Sequence, residues 1–157
     1  MIADVGCGTG LCGIRFRPLA RTLIGIDIAP RMIDKARERG IYDELVVGEA
    51  AEVLRGHARS LDLVVAGDML IYCGDGAGIF AAVAQSLKAG GRFAFTVEEI
   101  SGDSFALRST ARFAHSAAYL RQLAGQHGLR ITQTERFTLR QEHDGPVPGL
   151  LHVMTRT

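Results

Sequence analysis

Residues 4–10 read Asp4-Val5-Gly6-Cys7-Gly8-Thr9-Gly10, and they directly follow the apolar residues 1–3. An apolar strand that runs into a glycine-rich turn, with a helix after it, is typical of a loop that cradles a nucleotide-like cofactor. Glycines permit positive φ angles and let the backbone pass close to a ligand. The N–H groups at the start of the next helix would point at that ligand. A plain tight turn is the alternative interpretation.

The spacing of the glycines separates two classes of cofactor. In the dinucleotide fingerprint, the third glycine comes three places after the second. Here Gly10 comes two places after Gly8, and Leu11 takes the next position. The carboxylate of Asp4 would repel a pyrophosphate, whereas it suits a sulfonium cofactor that carries an ammonium group. The pattern therefore favours a sulfonium nucleoside, with an NAD(P)-binding Rossmann oxidoreductase as the alternative.

A second acidic residue, Asp27, ends the second predicted strand, which spans 22–28. A carboxylate at that position can accept hydrogen bonds from both hydroxyls of a ribose. Because Pro30 follows closely and predicts a helix start, Asp27 is also a candidate helix N-cap. The two roles are compatible with each other.

Short apolar runs alternate with helical patterns along the first hundred residues, which is typical of βαβ units and a parallel sheet. The predicted strands of this part are 1–5, 22–28, 45–48, 61–66 and 92–98, with a turn at 89–91. The predicted helices are 11–18, one from Pro30 to Gly40, 50–56 and 76–88.

The last third of the chain has a different pattern. Residues 100–114 are predicted to be a loop or a short insertion, and Ser116 is a good N-cap for a helix over 117–127. Strands are predicted at 129–140 and 150–155, separated by a polar loop at 141–149. Because no helix separates these two strands, they should pair as an antiparallel hairpin.

Composition limits the class of protein further. The chain has 157 residues, of which 47% are hydrophobic, and this fits one domain over 1–157. Its net charge of +1 gives no excess of basic residues for binding nucleic acid or an anionic membrane. No apolar run reaches the ~20 residues of a membrane span, and no signal peptide is evident. The cysteines, Cys7, Cys12 and Cys73, form no CxxC pair, so neither disulfides nor a metal site are expected, and a cytoplasmic location is predicted.

Several segments, in this order, resemble the class I S-adenosylmethionine-dependent methyltransferases. They are DVGCGTG (4–10), GIDIAPRMIDKARERG (25–40), VVGEAAEVL (46–54), DLVVAGDMLIYCGD (62–75) and LKAGGRFAFTVE (87–98). The resemblance implies an α/β, Rossmann-like, seven-stranded and mostly parallel sheet of order 3-2-1-4-5-7-6, with the last strand antiparallel and helices on both faces. It also implies an enzyme that uses S-adenosylmethionine, yields S-adenosylhomocysteine and methylates a small molecule or a protein. A cofactor-binding domain without activity is the alternative.

The C-terminal part of the chain narrows the resemblance to a subgroup of the family. Residues 112–129 and 146–156 look like a subgroup of predicted methyltransferases that often follow tetratricopeptide repeats, and they also resemble biotin-pathway and ubiquinone-pathway relatives. Family members place helices before the first strand, and this sequence has none there. The resemblance therefore implies an N-terminally shortened domain with an open cofactor pocket, and possible upstream repeats.

The resemblance also assigns cofactor-binding residues. Asp4, Gly6, Cys7 and Gly8 would hold the methionine end, and Asp27 would bind the ribose. The remaining assignments are Ile28 and Glu49 for the adenine, Ala50 for its backbone N–H, and Gly67 and Asp68 near the methionine amino and carboxylate groups. The family usually has Asp where Glu49 stands, and Asp68 could instead hydrogen-bond the local backbone.

Candidate catalytic residues follow the carboxyl ends of the strands, where open α/β sheets bind ligands. They are Tyr72, Glu98 and His115, with Glu99 beside Glu98. Each has a plainer interpretation: a packed aromatic for Tyr72, a solvated loop charge for Glu98, and a structural hydrogen bond for His115. An exposed position is predicted for His143 in the last hairpin loop, and His57, His127 and His152 carry no signal.

Overall fold

The computed structural model describes residues 1–142 and 145–157 and contains a central sheet with helices on both faces. His143, which the sequence places in the last hairpin loop, lies outside these residues. The strands are β1 (Ile2–Val5), β2 (Leu23–Asp27), β3 (Glu44–Val47), β4 (Leu61–Ala66), β5 (Leu87–Ile100), β6 (Phe105–Leu107), β7 (Phe113–Ser116), β8 (Leu129–Glu142) and β9 (Gly145–Arg156).

The helices divide between the two faces of the sheet. They are α1 (Leu11–Phe16), α2 (Pro30–Glu38), α3 (Ala50–Arg55), α4 (Ala77–Ser86) and α5 (Ala117–Gln126), with single 3-10 turns at Arg17–Leu19 and Leu70–Tyr72. Side chains from α3, α4 and α5 pack on one face in the largest apolar cluster. The helices α1 and α2 pack on the other face in two smaller clusters.

Strand β1 lies in the middle of the parallel part of the sheet. It pairs in parallel with β2 on one side and with β4 on the other, and β2 pairs in parallel with β3. Because parallel strands end at the same edge, this register brings the glycine loop, the end of β2 and the end of β4 together. The candidate site is therefore built at the carboxyl ends of adjacent strands.

The edge of β5 that faces away from β4 is shared by two partners, so the sheet forks there. Residues Arg92–Glu98 pair with β9 in an antiparallel ladder, and Glu98–Ile100 pair with β7 in parallel. The hairpin β8–β9 and the hairpin β6–β7 therefore leave β5 on either side of Glu98. We call this position the fork.

The predicted class and strand order agree with this structure. If the β8–β9 hairpin is counted as the sixth and seventh strands, the pairings give the order 3-2-1-4-5-7-6 with an antiparallel last strand. Strand β4 has the predicted bounds, and the predicted cap Ser116 accepts a hydrogen bond from the N–H of Tyr119 at 3.1 Å.

Three predictions for irregular segments were wrong. The expected loop at 100–114 contains β6 and the start of β7, which pair with each other and with the end of β5. The expected loop at 141–149 overlaps β9, which begins at Gly145. Residues 89–91 lie inside β5, where Gly90 has a φ of 74° and the register with β4 shifts. In the first two segments strand pairing outweighs the local turn preference, whereas Gly90 keeps a turn-like φ at the register shift within β5.

None of the helices in the described ranges is long and apolar enough to cross a lipid bilayer.

Three phenylalanines form the centre of the largest apolar cluster. The ring of Phe80 on α4 packs edge-on against Phe93 and Phe95 of β5, with centroids 5.6 Å apart in both pairs. Phe93 and Phe95 stack on each other with centroids 4.5 Å apart. All three side chains are fully buried, so they fix α4 on the face of β5.

We expect Phe80→Ala to lower the free energy of unfolding by about 3 to 5 kcal/mol, because it leaves a cavity between two rings. The control Leu107→Ala, on the exposed side of β6, should change it by about 0.5 kcal/mol or less. Urea unfolding followed by circular dichroism measures both. Equal effects of the two substitutions would contradict this account of the core.

Candidate active site

The glycine loop leaves an open approach at its middle glycine. Gly6, Gly8 and Gly10 all have positive φ angles, of 66°, 54° and 85°. A Cβ atom added at Gly8 would meet nothing within 4 Å, so the space in front of its backbone is open. The loop is held from behind, because the N–H of Cys7 donates to the carbonyl oxygen of Ile26 at 3.0 Å. A ligand can therefore approach the backbone closely at Gly8.

Asp27 fastens the end of β2 to this loop. Its Oδ2 accepts a hydrogen bond from the N–H of Gly8 at 2.9 Å, and its Oδ1 accepts one from the N–H of Ala29 at 2.9 Å. The residue that caps α2 is Ala29, so the interpretation of Asp27 as the N-cap was wrong. Each carboxylate oxygen has a further lone pair, so Asp27 can still accept hydrogen bonds from a ligand's hydroxyls.

Asp4 is a buried carboxylate with one oxygen unused. Its side chain lies under the loop with only 1% exposure. Oδ2 accepts a hydrogen bond from the hydroxyl of Tyr42 at 2.6 Å, while Oδ1 has no hydrogen-bond partner within the described residues. Burial raises the pKa of Asp4 above its usual value. A buried carboxylate oxygen without a partner is costly and suits a cationic ligand group.

Exposed apolar side chains follow the two neighbouring strands. Ile28 is 72% exposed directly after β2, and Val47 is 48% exposed at the end of β3. The register pairs Asp27 with Val47, so both apolar groups lie at one edge of the sheet. Sequence reasoning named Ile28 and missed Val47, although its place at the end of an apolar strand was a usable signal.

Glu49 has a structural task that the sequence did not reveal. Its side chain caps α3, because Oε1 accepts from the N–H of Ala51 at 3.0 Å and Oε2 accepts from the N–H of Glu52 at 2.9 Å. Ala50, the first residue of α3, is half-buried beside it. The predicted adenine contact of Glu49 would compete with the cap for the same two oxygens.

Cys7 contributes its backbone and not its thiol to the loop. The side chain is buried against Ile33 and Ala36 of α2. Burial, with smaller contributions from the charges of Asp4 and Asp27, raises the pKa of the thiol to about 12. The Cys7 thiol is therefore a small apolar filler at neutral pH.

The segment after β4 covers the first glycine of the loop. Met69 lies over Gly6, where an added Cβ would come within 2.4 Å of the methionine Cγ. Asp68 has a φ of 55°, and its N–H donates to Oγ1 of Thr96 at 2.8 Å. Partial burial raises the pKa of Asp68. Gly67 is exposed beside it. Sequence reasoning missed Met69, which carries no distinguishing pattern.

Glu98 is held in ion pairs at the fork. Its Oε2 lies 2.5 Å from Nη2 of Arg140, and its Oε1 lies 3.4 Å from Nε of Arg108. Arg140 also contacts Oε1 of Glu142 at 2.6 Å, and its Nη1 lies 4.0 Å from Oδ1 of Asp68. With both oxygens beside guanidinium groups, Glu98 is not free to act as a base. The loop-charge interpretation is also wrong, because the side chain is buried.

His115 is buried away from solvent. It is 1% exposed, its Nε2 lies 3.1 Å from the carbonyl oxygen of Gly74, and its ring stacks on Tyr119. Burial lowers the pKa of His115, so the ring is neutral at pH 7. This geometry matches a structural hydrogen bond. Tyr72, in contrast, is 68% exposed after β4 and can reach a ligand.

The described residues contain no group of three or more His, Cys, Asp or Glu side chains that could hold a metal ion.

Comparison with known sequences connects this geometry to a family. The family model described as "Methyltransferase domain" matches residues 3–95. Aklanonic acid methyltransferase DauC of Streptomyces sp. (strain C5) is 39% identical over 105 residues, covering 60% of this chain and 46% of that protein. Ubiquinone biosynthesis O-methyltransferase of Xanthomonas axonopodis pv. citri is 31% identical over 110 residues, covering 68% and 46%. The match thus spans about half the length of these relatives.

Solved structures share the fold over nearly the whole chain. An S-adenosylmethionine-dependent methyltransferase from Listeria monocytogenes aligns with a TM-score of 0.79 at 18% identity, covering 99% of this chain and 90% of its own. The [4+2]-cyclase SpnF aligns with a TM-score of 0.81 at 16% identity, covering 99% and 73%. The two proteins carry different descriptions on one fold, so the function must be argued from the site.

We expect Arg140→Met to lower the free energy of unfolding by about 3 kcal/mol, because it leaves the buried Glu98 with only the more distant Arg108. The control Arg136→Met removes the more exposed pair with Glu99 and should have a much smaller effect, because solvent screens that pair. Urea unfolding at pH 7 measures both. If Arg136→Met costs as much as Arg140→Met, the fork does not depend on the Glu98 pair.

Proposed function

Because the chain belongs to the methyltransferase domain family, we propose that it binds S-adenosylmethionine at the glycine loop and transfers the methyl group to a small-molecule acceptor. One observation carries this proposal. A buried carboxylate with a free oxygen, an open glycine and a strand-end aspartate meet at the carboxyl ends of β1 and β2. These groups match an ammonium, a close backbone approach and a ribose.

The cofactor's methionine end would lie between the first and fourth strands. Asp4 would balance the ammonium charge, and the open backbone at Gly8 would allow close approach. The backbone of Gly67 and the carboxylate of Asp68 lie on the other side, after β4. A cationic group suits the free oxygen of Asp4 better than the anionic pyrophosphate of a dinucleotide.

The nucleoside end would lie across β2 and β3. Asp27 would accept hydrogen bonds from the ribose hydroxyls with its remaining lone pairs. Ile28, with Val47 beyond it, offers an exposed apolar surface for the adenine. The backbone N–H of Ala50 would meet the ring edge. Glu49 would do so only if it shares its oxygens with the cap of α3.

The cofactor supplies an activated methyl group on a good leaving group. The protein must therefore align the acceptor and keep water away, and a strong base is needed only for a neutral hydroxyl or a carbon acid. At the acceptor side Glu98 and His115 are engaged in structural contacts, and Tyr72 is the exposed candidate. From the described residues we infer an acceptor atom that needs no strong base, such as a carboxylate or acidic phenol oxygen, an amine nitrogen or a thiol sulfur.

Two relatives support a small-molecule acceptor, and the name of one of them supports an oxygen atom as the acceptor. One is described as an aklanonic acid methyltransferase and the other as a ubiquinone biosynthesis O-methyltransferase. A protein side chain is the alternative acceptor. Transfer of the methyl group to a protein, with no product from a panel of small organic acids and phenols, would favour that alternative.

The side chain that best tests cofactor binding is Ile28. Because it is 72% exposed in the free chain, Ile28→Ser should leave the fold unchanged and remove apolar contact with the adenine. We expect S-adenosylhomocysteine to bind about tenfold more weakly to this variant, as measured by titration calorimetry. The control Leu19→Ser removes a side chain that is 74% exposed beside α1 and should bind like the unmodified chain.

Three outcomes would count against the proposal. Tight binding of NAD with no response to S-adenosylhomocysteine would indicate an oxidoreductase. Binding of S-adenosylhomocysteine without transfer to any acceptor would favour an inactive cofactor-binding domain. Unchanged affinity in Ile28→Ser would show that the adenine does not lie on β2.

A further inference from the structure

The underside of the glycine loop is filled by one aromatic ring. Tyr42 lies between α2 and β3, and three glycines face it. An added Cβ at Gly13 would come within 2.2 Å of the tyrosine hydroxyl oxygen. At Gly25 and Gly10 it would come within 2.9 Å and 3.1 Å of ring carbons. Glycines therefore stand at the end of the loop, in α1 and in β2, at the positions where a side chain would clash with this ring.

The same residue holds the buried carboxylate of the site. The Tyr42 hydroxyl donates to Oδ2 of Asp4 at 2.6 Å, and Asp4 is 1% exposed. Since one hydrogen bond fixes Oδ2, the carboxylate has a defined orientation while Oδ1 stays without a partner among the described residues. An oriented, unused acceptor in a buried place is what a cationic ligand group requires.

We propose that Tyr42 is a positioning residue of the cofactor site, which supports the glycine loop with its ring and orients Asp4 toward the cofactor's ammonium group with its hydroxyl. This inference rests on the proposed function, since it assumes that the loop binds a sulfonium nucleoside. Tyr42 itself does not touch the cofactor.

The hydroxyl also affects the charge of Asp4. Burial raises the pKa of this carboxyl group, the hydrogen bond from Tyr42 and the nearby backbone N–H of Gly13 lower it, and the charge of Asp27 raises it. Loss of the hydroxyl therefore raises the pKa of Asp4 in the folded chain. The carboxylate would then take up a proton at a higher pH and lose its attraction for a cation.

The experiment compares two Tyr→Phe variants. Tyr42→Phe keeps the ring and removes the hydrogen bond to Asp4. Tyr119→Phe is the control, because its hydroxyl also donates to a carboxylate, Oδ1 of Asp75 at 2.8 Å, but lies on α5. Binding of S-adenosylhomocysteine is measured by titration calorimetry from pH 5 to pH 8.5, with thermal unfolding measured on the same samples.

We expect Tyr42→Phe to bind S-adenosylhomocysteine about tenfold more weakly at pH 7. On the acid side, its affinity should start to fall at a higher pH than in the unmodified chain. Tyr119→Phe should match the unmodified chain in affinity and pH profile. In Asp4→Asn, the same acid-side loss should be absent, because the titrating group is gone, and adding Tyr42→Phe to it should cause little further loss.

The inference is overturned if Tyr42→Phe binds with unchanged affinity and pH profile. It is also overturned if the variant loses affinity only in step with lost thermal stability and keeps the pH profile, because the ring would then act only in packing. Failure of the unmodified chain to bind S-adenosylhomocysteine at any pH would instead overturn the proposed function.

Discussion

The hydrogen bond from the Gly8 N–H to the Asp27 carboxylate joins the two strand ends on which the site depends. It is possible because β1 and β2 pair in parallel and end at the same edge of the sheet. The side chain of Asp27, the last residue of β2, therefore reaches the backbone of the loop that follows β1. The loop keeps its open face as a result, since the N–H groups of Cys7 and Gly8 are both bonded toward β2. A ligand therefore meets a preformed surface, and little ordering of the chain is needed on binding.

The charged side chains are arranged differently at the glycine loop and at the fork. At the glycine loop, one oxygen of Asp4 has no hydrogen-bond partner among the described residues, and Asp27 bonds only backbone N–H groups. At the fork, the acidic and basic groups pair with each other around Glu98. The first arrangement is the one that we propose recognises a cation and hydroxyls. The second provides rigidity at the point where the sheet divides.

Local signals predicted several elements of the fold well. The glycine spacing, the apolar run of β4 and the Ser116 cap depend on neighbours in sequence, and the structure has them where the sequence placed them. The failures depend on partners that the neighbouring residues in sequence do not specify. Strand β6 exists through its pairing with β7, and Tyr42 matters because glycines from three other segments leave room for it. Glu98 was predicted from its place at a strand end, but Arg140, which holds it, is 42 positions away.

The fork at Glu98 lies in the part of the sheet that carries the two hairpins, apart from the strands that support the glycine loop. The hairpins β6–β7 and β8–β9 both join the sheet through β5, whereas the glycine loop and Asp27 depend on β1, β2 and β4. Insertions or replacements in either hairpin would change the sheet beyond β5 and leave the glycine loop and Asp27 in register. Because Arg108 of one hairpin and Arg140 of the other both contact Glu98, a change in one hairpin would also affect the other. The fold thus lets evolution vary this end of the sheet on a constant glycine loop.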